Sequence, residues 1–511
     1  MNPALAIHIL LTISLALTAP ASATIREVAP GTGCSDEIGT PFCTLAAAIE
    51  KAESGDTLQL APGLYTGPVT IEKTLAIKGA RLGGSVIDGQ QKGSVITIAP
   101  ATMVTLDHLV IQNGVAEQGA GILNRGNLSV VACKILRNTA TQSGGGIYSG
   151  GTFSSQLSVW GSEITDNVAQ GDDGYNVKYG GGGIYNDGPL TVLATIIEKN
   201  QASENGGGIY TVFSGRNAAS KAETAAEKIG LTTIPGPGTT LARIFDENSV
   251  LIDRSSIIDN SADTGGGINV HGVARIDNSL IARNRAIDNK LSAGGGVFAH
   301  FDTRLRITNS IISKNQAAYG GAGLRFYSTS LGKLINVSVV GNQNNTIGRG
   351  AGIFVVHDTA RLELSHTLLA DNLSANQAAD CGGKPISLGY NLVANATGCD
   401  WQAHEGDLVG SSKKPIAAKL TWNQANVPPL FTPDVPLPSR NSPTINSGNP
   451  AGCLGMDNLP LTIDYMGLQR AIGKPHGRCD IGAIEWRPTP TAQPRKQYPA
   501  PKHAPKTQKT Q

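Results

Sequence analysis

Two short signals alternate along the middle of this chain, and that alternation limits what it can fold into more than any other feature. A glycine cluster followed by an aliphatic residue ends at Gly121, Gly146, Gly183, Gly208, Gly267, Gly296, Gly323 and Gly352. An aliphatic-x-x-Asn block ends at Asn138, Asn167, Asn200, Asn260, Asn284, Asn315, Asn342 and Asn372. Successive glycine clusters are 25, 37, 25, 59, 29, 27 and 29 residues apart, the spacing of a solenoid. Stretches such as Leu157-Ser158-Val159 and Leu190-Thr191-Val192 place aliphatics at alternate positions, and no helical period intervenes. Each unit is therefore expected to be a coil of short strands. Glycine fits its turns, and asparagine fits a bend whose side chains hydrogen-bond from coil to coil.

A single coil cannot stand alone. It orders about 27 residues at ~1 to 2 kcal/mol of backbone entropy each, against a handful of inward aliphatics at ~1.5 to 3 kcal/mol apiece. Stacking at ~4.8 Å per coil closes the hydrogen-bond ladders and joins the aliphatics into one column. The composition agrees: 40% of residues are hydrophobic but only 5% aromatic, so the core is aliphatic. The 63 glycines follow no three-residue period, which excludes collagen. A net charge of +2 gives no support to a nucleic-acid partner.

Residues 1–23 read as a secretory signal, with an apolar stretch from Ala4 to Leu17 and a small-residue cleavage pattern at Ala21-Ser22-Ala23. No apolar run reaches the ~20 residues of a spanning helix, so no transmembrane segment is expected after cleavage. Residues 24–60 form the expected N-terminal cap, with the amphipathic stretch Thr44 to Ala52 covering the first coil. The β-helix is expected over 61–378, with an excursion near 212–247 that accounts for the 59-residue glycine interval. Residues 379–486 should cap the far end, and 487–511, with six prolines and six basic residues, form an extended Pro/Lys-rich tail. Seven cysteines fall into three local couples, Cys34 with Cys43, Cys381 with Cys399, and Cys453 with Cys479, leaving Cys133 alone and expected to be buried and unreactive. No two cysteines have metal-ligand spacing and no HExxH is present, so neither a metal nor a cofactor is expected.

The Gly-Gly-Gly-Ile-Tyr and Ile-x-x-Asn units resemble polymorphic outer-membrane protein repeats over about 119–372, with Ile, Val or Leu where that family carries Phe. The segment Cys43 to Tyr65 is similar to the CSLREA segment of secreted β-helix proteins, matching at Cys43, Leu45, Ala48 and Ile49. Asn441 to Cys453 and Cys479 to Glu485 resemble the choice-of-anchor Q region of the same proteins, with Asp464, Gly467 and Arg470 matching part of its Asp-Gln-Arg-Gly-x-x-Arg run. The resemblance implies an all-β, right-handed parallel β-helix, a pectate-lyase-like solenoid, that is exported and displayed at the outer cell surface or periplasm.

Two sets of residues are candidates for function. The residue after the inward aliphatic of each glycine cluster should point outward, and that column reads Leu123, Tyr148, Tyr185, Tyr210, Asn269, Phe298, Arg325, Phe354. Rings of Tyr148, Tyr185, Tyr210, Phe298 and Phe354 at ~5 Å spacing suit stacking against sugars. Alternatively the column stacks on itself or lies beneath the 212–247 excursion. The second set is His300, Arg325, Tyr327, His357 and Asp358, with His271, Asp302 and Arg304 nearby in the repeat. A cation beside a Tyr or His pair suits a lyase or epimerase acting on uronate chains, whereas solvated polar residues on a loop face are the plain reading. The charged residues before each repeat asparagine, Arg137 to Asp371, fit a structural charge ladder. Together these features favour an exported, monomeric, non-catalytic protein that binds an extracellular polysaccharide or cell-surface glycan in the manner of an adhesin. A polysaccharide lyase, epimerase or hydrolase is the alternative, and a structural envelope protein the third.

Overall fold

Because each repeat carries its aliphatics at alternate positions, every coil presents one set inward, and equivalent strands of successive coils pair side by side. The computed structural model describes residues 23–151, 155–172, 179–212, 249–286, 292–423, 435–456, 458–470 and 477–487. Among them, three long parallel sheets run the length of the molecule. The first has 13 strands, from Ile25–Val28 to Ile386–Ser387, and the second has 13, from Gly63–Thr66 to Leu408–Val409. The third has 11, from Val69–Ile71 to Cys381–Gly382. One coil shows the path: Asn127–Val131 in the first sheet, Lys134–Leu136 in the second, a short edge strand Thr139–Ser143, then Ile147–Ser149 in the third. The chain then returns to the first sheet at Gln156–Trp160, which pairs in register with Asn127–Val131. With the right-handed hand that parallel crossovers take, this is a right-handed parallel β-helix.

The interior is an aliphatic column. Leu128, Val130, Ile135 and Ile147 of one coil give way to Leu157, Val159, Ile164 and Ile184 of the next, all buried. The repeat asparagines line one corner as a continuous ladder. Asn284 donates its backbone N–H and its Nδ2 to Oδ1 of Asn315, both at 3.0 Å, while Asn315 Nδ2 donates back to the Ile281 carbonyl at 3.0 Å. The same bonds link Asn138 to Asn167 and so on to Asn372, which ends on the buried carboxylate of Asp380. Burial pushes Asp380 up to about 6 against the bonds it accepts from Asn372 and Asn395. At the preceding position the backbone bends left-handed, with φ from 53° to 57° at Arg137, Asp166, Lys199, Asp259, Arg283, Lys314 and Asp371. Glycine occupies that place at Gly341. Of the expected charge ladder, Arg283 and Asp259 form a two-pronged ion pair at 2.7 and 2.8 Å.

A second ladder, beyond the glycine and asparagine signals of the repeat, stacks hydroxyls between the first and second sheets. The Cys133 N–H donates to Ser162 Oγ, Ser162 to Thr195, Thr195 to Ser255, and Ser255 to Ser279. Cys133 is a rung of it, accepting from the Leu109 N–H on its sulfur. Burial pushes its thiol up to about 12, and it is the free cysteine. The glycine column is dictated by close approach: a Cβ on Gly183 would lie 2.6 Å from the Gly208 carbonyl oxygen. All three expected disulfides are formed, Cys34–Cys43, Cys381–Cys399 and Cys453–Cys479.

The ends differ from the boundaries read in the sequence. Helix Leu45–Lys51, capped by the Thr44 hydroxyl, buries Leu45, Ala48 and Ile49 against the first coils. Yet the ladder already begins at Ile25–Val28, which pairs with Thr57–Leu60 inside the 24–60 segment. At the other end the ladder continues past 378 to Val409. The described residues of 435–487 do not close the end of the coil. They fold back along the outer face of the second sheet, where Val435, Ala483 and Ile484 cover Ile258, Leu280 and Ile311. The outward positions explain why: Lys134, Glu163 and Glu198 in early coils are replaced by Ile258, Leu280 and Ile311 in later ones. The signal at 1–23, the excursion at 212–247 and the tail at 487–511 lie almost wholly outside the described residues. No helix among the described residues is long and apolar enough to cross a membrane.

Candidate ligand-binding face

The strands of the third sheet from Val69–Ile71 to Ile353–Val355 are three residues long, so their ends face inward and their middle residue faces out. Register pairing aligns those middle residues as Leu123, Tyr148, Tyr185, Tyr210, Asn269, Phe298, Arg325 and Phe354, the column expected from the repeat. Its direction is as expected; its exposure is not. Tyr185, Tyr210, Phe298 and Phe354 retain only 9, 0, 6 and 7% of their surface, and Tyr148 alone of the five is half-buried. Rings of adjoining coils pack on the tyrosines and on Phe298, and arginines pack on Phe354. Tyr148 and Tyr185 stack at 4.6 Å and 4° between planes, near the strand spacing, and Tyr185 meets Tyr210 edge-on at 5.6 Å. Desolvation then holds the Tyr185 and Tyr210 phenols well above their ordinary range, so both stay neutral.

The strip continues on the residues that leave the third sheet. His271 packs edge-on against Tyr210 at 5.8 Å and stacks on His300 at 4.1 Å. His300 touches Phe298, Phe301 and Tyr327, and Tyr327 meets His357 at 5.1 Å. Burial depresses both buried imidazoles, His271 to about 4 and His300 to about 3, so they are neutral at physiological pH. His271 Nε2 and His300 Nδ1 are buried without a hydrogen-bond partner. Toward solvent the strip opens at Phe301, 48% exposed, at half-buried Tyr327 and at exposed His357. Of the five residues proposed for chemistry, His300, Arg325, Tyr327 and His357 are thus brought together. Asp358 is instead engaged in an exposed ion pair with Lys384.

Arg325 sits inside this strip, 8% exposed, with its guanidinium 5.0 to 5.9 Å from the rings of Tyr319, Phe298, Tyr327 and Phe354. No carboxylate pairs with it among the described residues, and its Nε is buried without a partner. Desolvation lowers it to about 10, with Arg349 adding to the effect. Arg349 lies over Tyr319 at 4.3 Å and Phe354 at 5.4 Å. The repeat signals by themselves do not point to Tyr319, Arg349 or Phe301. Tyr319 and Arg349 each stand immediately before a glycine turn into the third sheet, a column the glycine register itself would have exposed. One group of metal-ligand type, His366 with Cys453 and Cys479, occurs among the described residues. Its sulfurs are joined to each other and His366 Nε2 accepts from the Asn449 N–H, so its donors are already used.

Among solved structures, the chain is similar to the crystal structure of pectate lyase Pel9A, with a TM-score of 0.45 and 15% identity over 91% of this chain and 97% of that one. No family model and no curated protein matches the chain. The parallel β-helix is defined by its own strand order.

Proposed function

We propose that this chain is an exported, monomeric, adhesin-like protein that binds an extended extracellular polysaccharide along the outer face of the third sheet. The observation that carries this is the unbroken run of rings from Tyr148 to His357, open to solvent at Tyr148, Phe301, Tyr327 and His357. Buried rings set the platform, and exposed ones offer stacking surfaces at several levels of a long polymer. Three disulfides suit an oxidising compartment, which fits an exported protein. The reading is tested by titrating the purified protein against a panel of neutral and acidic glycans. Phe301→Ala and Tyr327→Ala should each weaken binding about five-fold or more, by loss of stacking. Absence of binding across the panel overturns it.

A second reading, a polysaccharide lyase, epimerase or hydrolase, is favoured by one observation: His300, Arg325 and Tyr327 share a site, with a neutral imidazole beside a cation. Unsaturated products or new reducing ends in the same incubations would select it.

A further inference from the structure

Two cations converge in this face without an anion among the described residues. Arg325 and Arg349 both lie over the rings of Tyr319 and Phe354. Neither donates a hydrogen bond from its guanidinium to the described residues, and neither forms an ion pair there. Cation–π contacts offset part of the desolvation of such a group, but they leave its N–H donors unused. A buried guanidinium with an unpartnered Nε, beside a second like charge, weakens the fold it sits in. Groups kept against stability in this way mark places where a ligand supplies the missing partner.

We infer that Arg325 and Arg349 together receive one anionic substituent of the bound glycan, a carboxylate or a sulfate ester, in a cage walled by Phe298, Tyr319, Tyr327 and Phe354. The inference rests on the glycan-binding reading of this face and adds the class of ligand. Planar guanidinium forks match the paired oxygens of either group, and the surrounding rings keep water from competing. The aromatic wall also selects a sugar ring as the carrier of the charge, since a small free anion would leave the exposed Phe301 and Tyr327 surfaces unused.

The experiment compares polygalacturonate, dextran sulfate and unmodified dextran by titration at low and high salt, on the folded full chain and on Arg325→Met and Arg349→Gln. At least ten-fold tighter binding of a charged polymer than of dextran is expected, falling about ten-fold or more in each variant and weakening with salt. Preference for polygalacturonate assigns the carboxylate, and preference for dextran sulfate assigns the sulfate ester. Arg349 is only half-buried, so its variant remains informative if Arg325→Met disturbs the rings, which circular dichroism would report. Dextran bound as tightly as the charged polymers, or binding unchanged in both variants, overturns the anion site while the glycan reading stands. No binding of any polymer or panel glycan overturns both.

Discussion

Two buried arginines on two outer faces of the same β-helix show opposite solutions to one physical problem. Arg470, on the segment that covers the second sheet, is 3% exposed and fully engaged. Its Nη1 meets Glu485 at 2.6 Å, its Nη2 donates to Asn309 and to the carbonyls of Gly482 and Ala483, and its Nε donates to Ile463. Arg325, on the third sheet, is nearly as buried and has rings for neighbours but no hydrogen-bond acceptor among the described residues. The first face is closed by the chain itself, so its charge is part of the fold. The second is left incomplete, and its charge is available to something else. Burial alone therefore does not separate a structural arginine from a binding one; the tally of partners does.

The largest effect that would sharpen this contrast is expected from Arg470→Met. It leaves Glu485 buried and unpaired and loosens the cover over Ile258, Leu280 and Ile311, so chemical denaturation should report a loss of about 3 to 5 kcal/mol. A loss under about 1 kcal/mol would break the comparison. Next comes the asparagine ladder, where Asn315→Ala strands both donors of Asn284 that end on its Oδ1. At ~1 to 2 kcal/mol for each of the two, the lower part of the penalty for a buried unsatisfied group, about 2 to 4 kcal/mol should be lost.

A smaller effect concerns pH and the hold of the C-terminal segment on the coil. His366 accepts the Asn449 N–H on Nε2, stacks on Tyr390, and shares a hydrogen bond with Ser365. Burial depresses it from 6.5 to about 4, helped by Arg470. Because the folded value is depressed, its contribution is present above the unfolded value of 6.5 and is lost as pH falls toward about 4. Asp480, raised to about 7 by burial and then by Glu485, has the opposite sign, with stability lost as pH rises through that value. Comparison with His366→Gln removes the Asp480 contribution. The wild-type protein should lose roughly 1.5 kcal/mol relative to the variant between pH ~6.5 and pH ~5, read from paired unfolding curves. Parallel curves would show that His366 does not hold the segment through its neutral form. The smallest expected effect is that of Arg325→Met on stability. The melting temperature should stay level or rise slightly, since removing an unpartnered buried charge costs nothing that methionine packing does not return. A fall as large as that of Arg470→Met would show that Arg325 belongs to the fold after all.

Much of the molecule was legible in the residues. Alternating aliphatics, glycine at the close approach of Gly183 to Gly208, and asparagine at each bend are local requirements that recur with the coil, so the sequence by itself determined the β-helix, the Asn138 to Asn372 ladder and the outward aim of Tyr148 to Phe354. The cysteine couples followed from separations of 9, 18 and 26 residues. What lies over an outward residue is a different matter, because it depends on chain that arrives from elsewhere or from the adjoining coil. Tyr148, Tyr185 and Tyr210 overlap ring on ring, and Phe354 lies beneath Arg325 and Arg349, so side chains of adjoining coils cover much of the column that alternation had turned outward. Val435, Ala483 and Ile484 reached back over the second sheet, where Ile258, Leu280 and Ile311 present apolar surface, although the sequence places the two regions far apart. Only the tertiary structure decided that Arg470 would meet Glu485 and Asn309 while Arg325 and Arg349 would meet rings and no acceptor among the described residues. Periodicity sets where a side chain points; packing between distant segments sets whether its charge finds a partner.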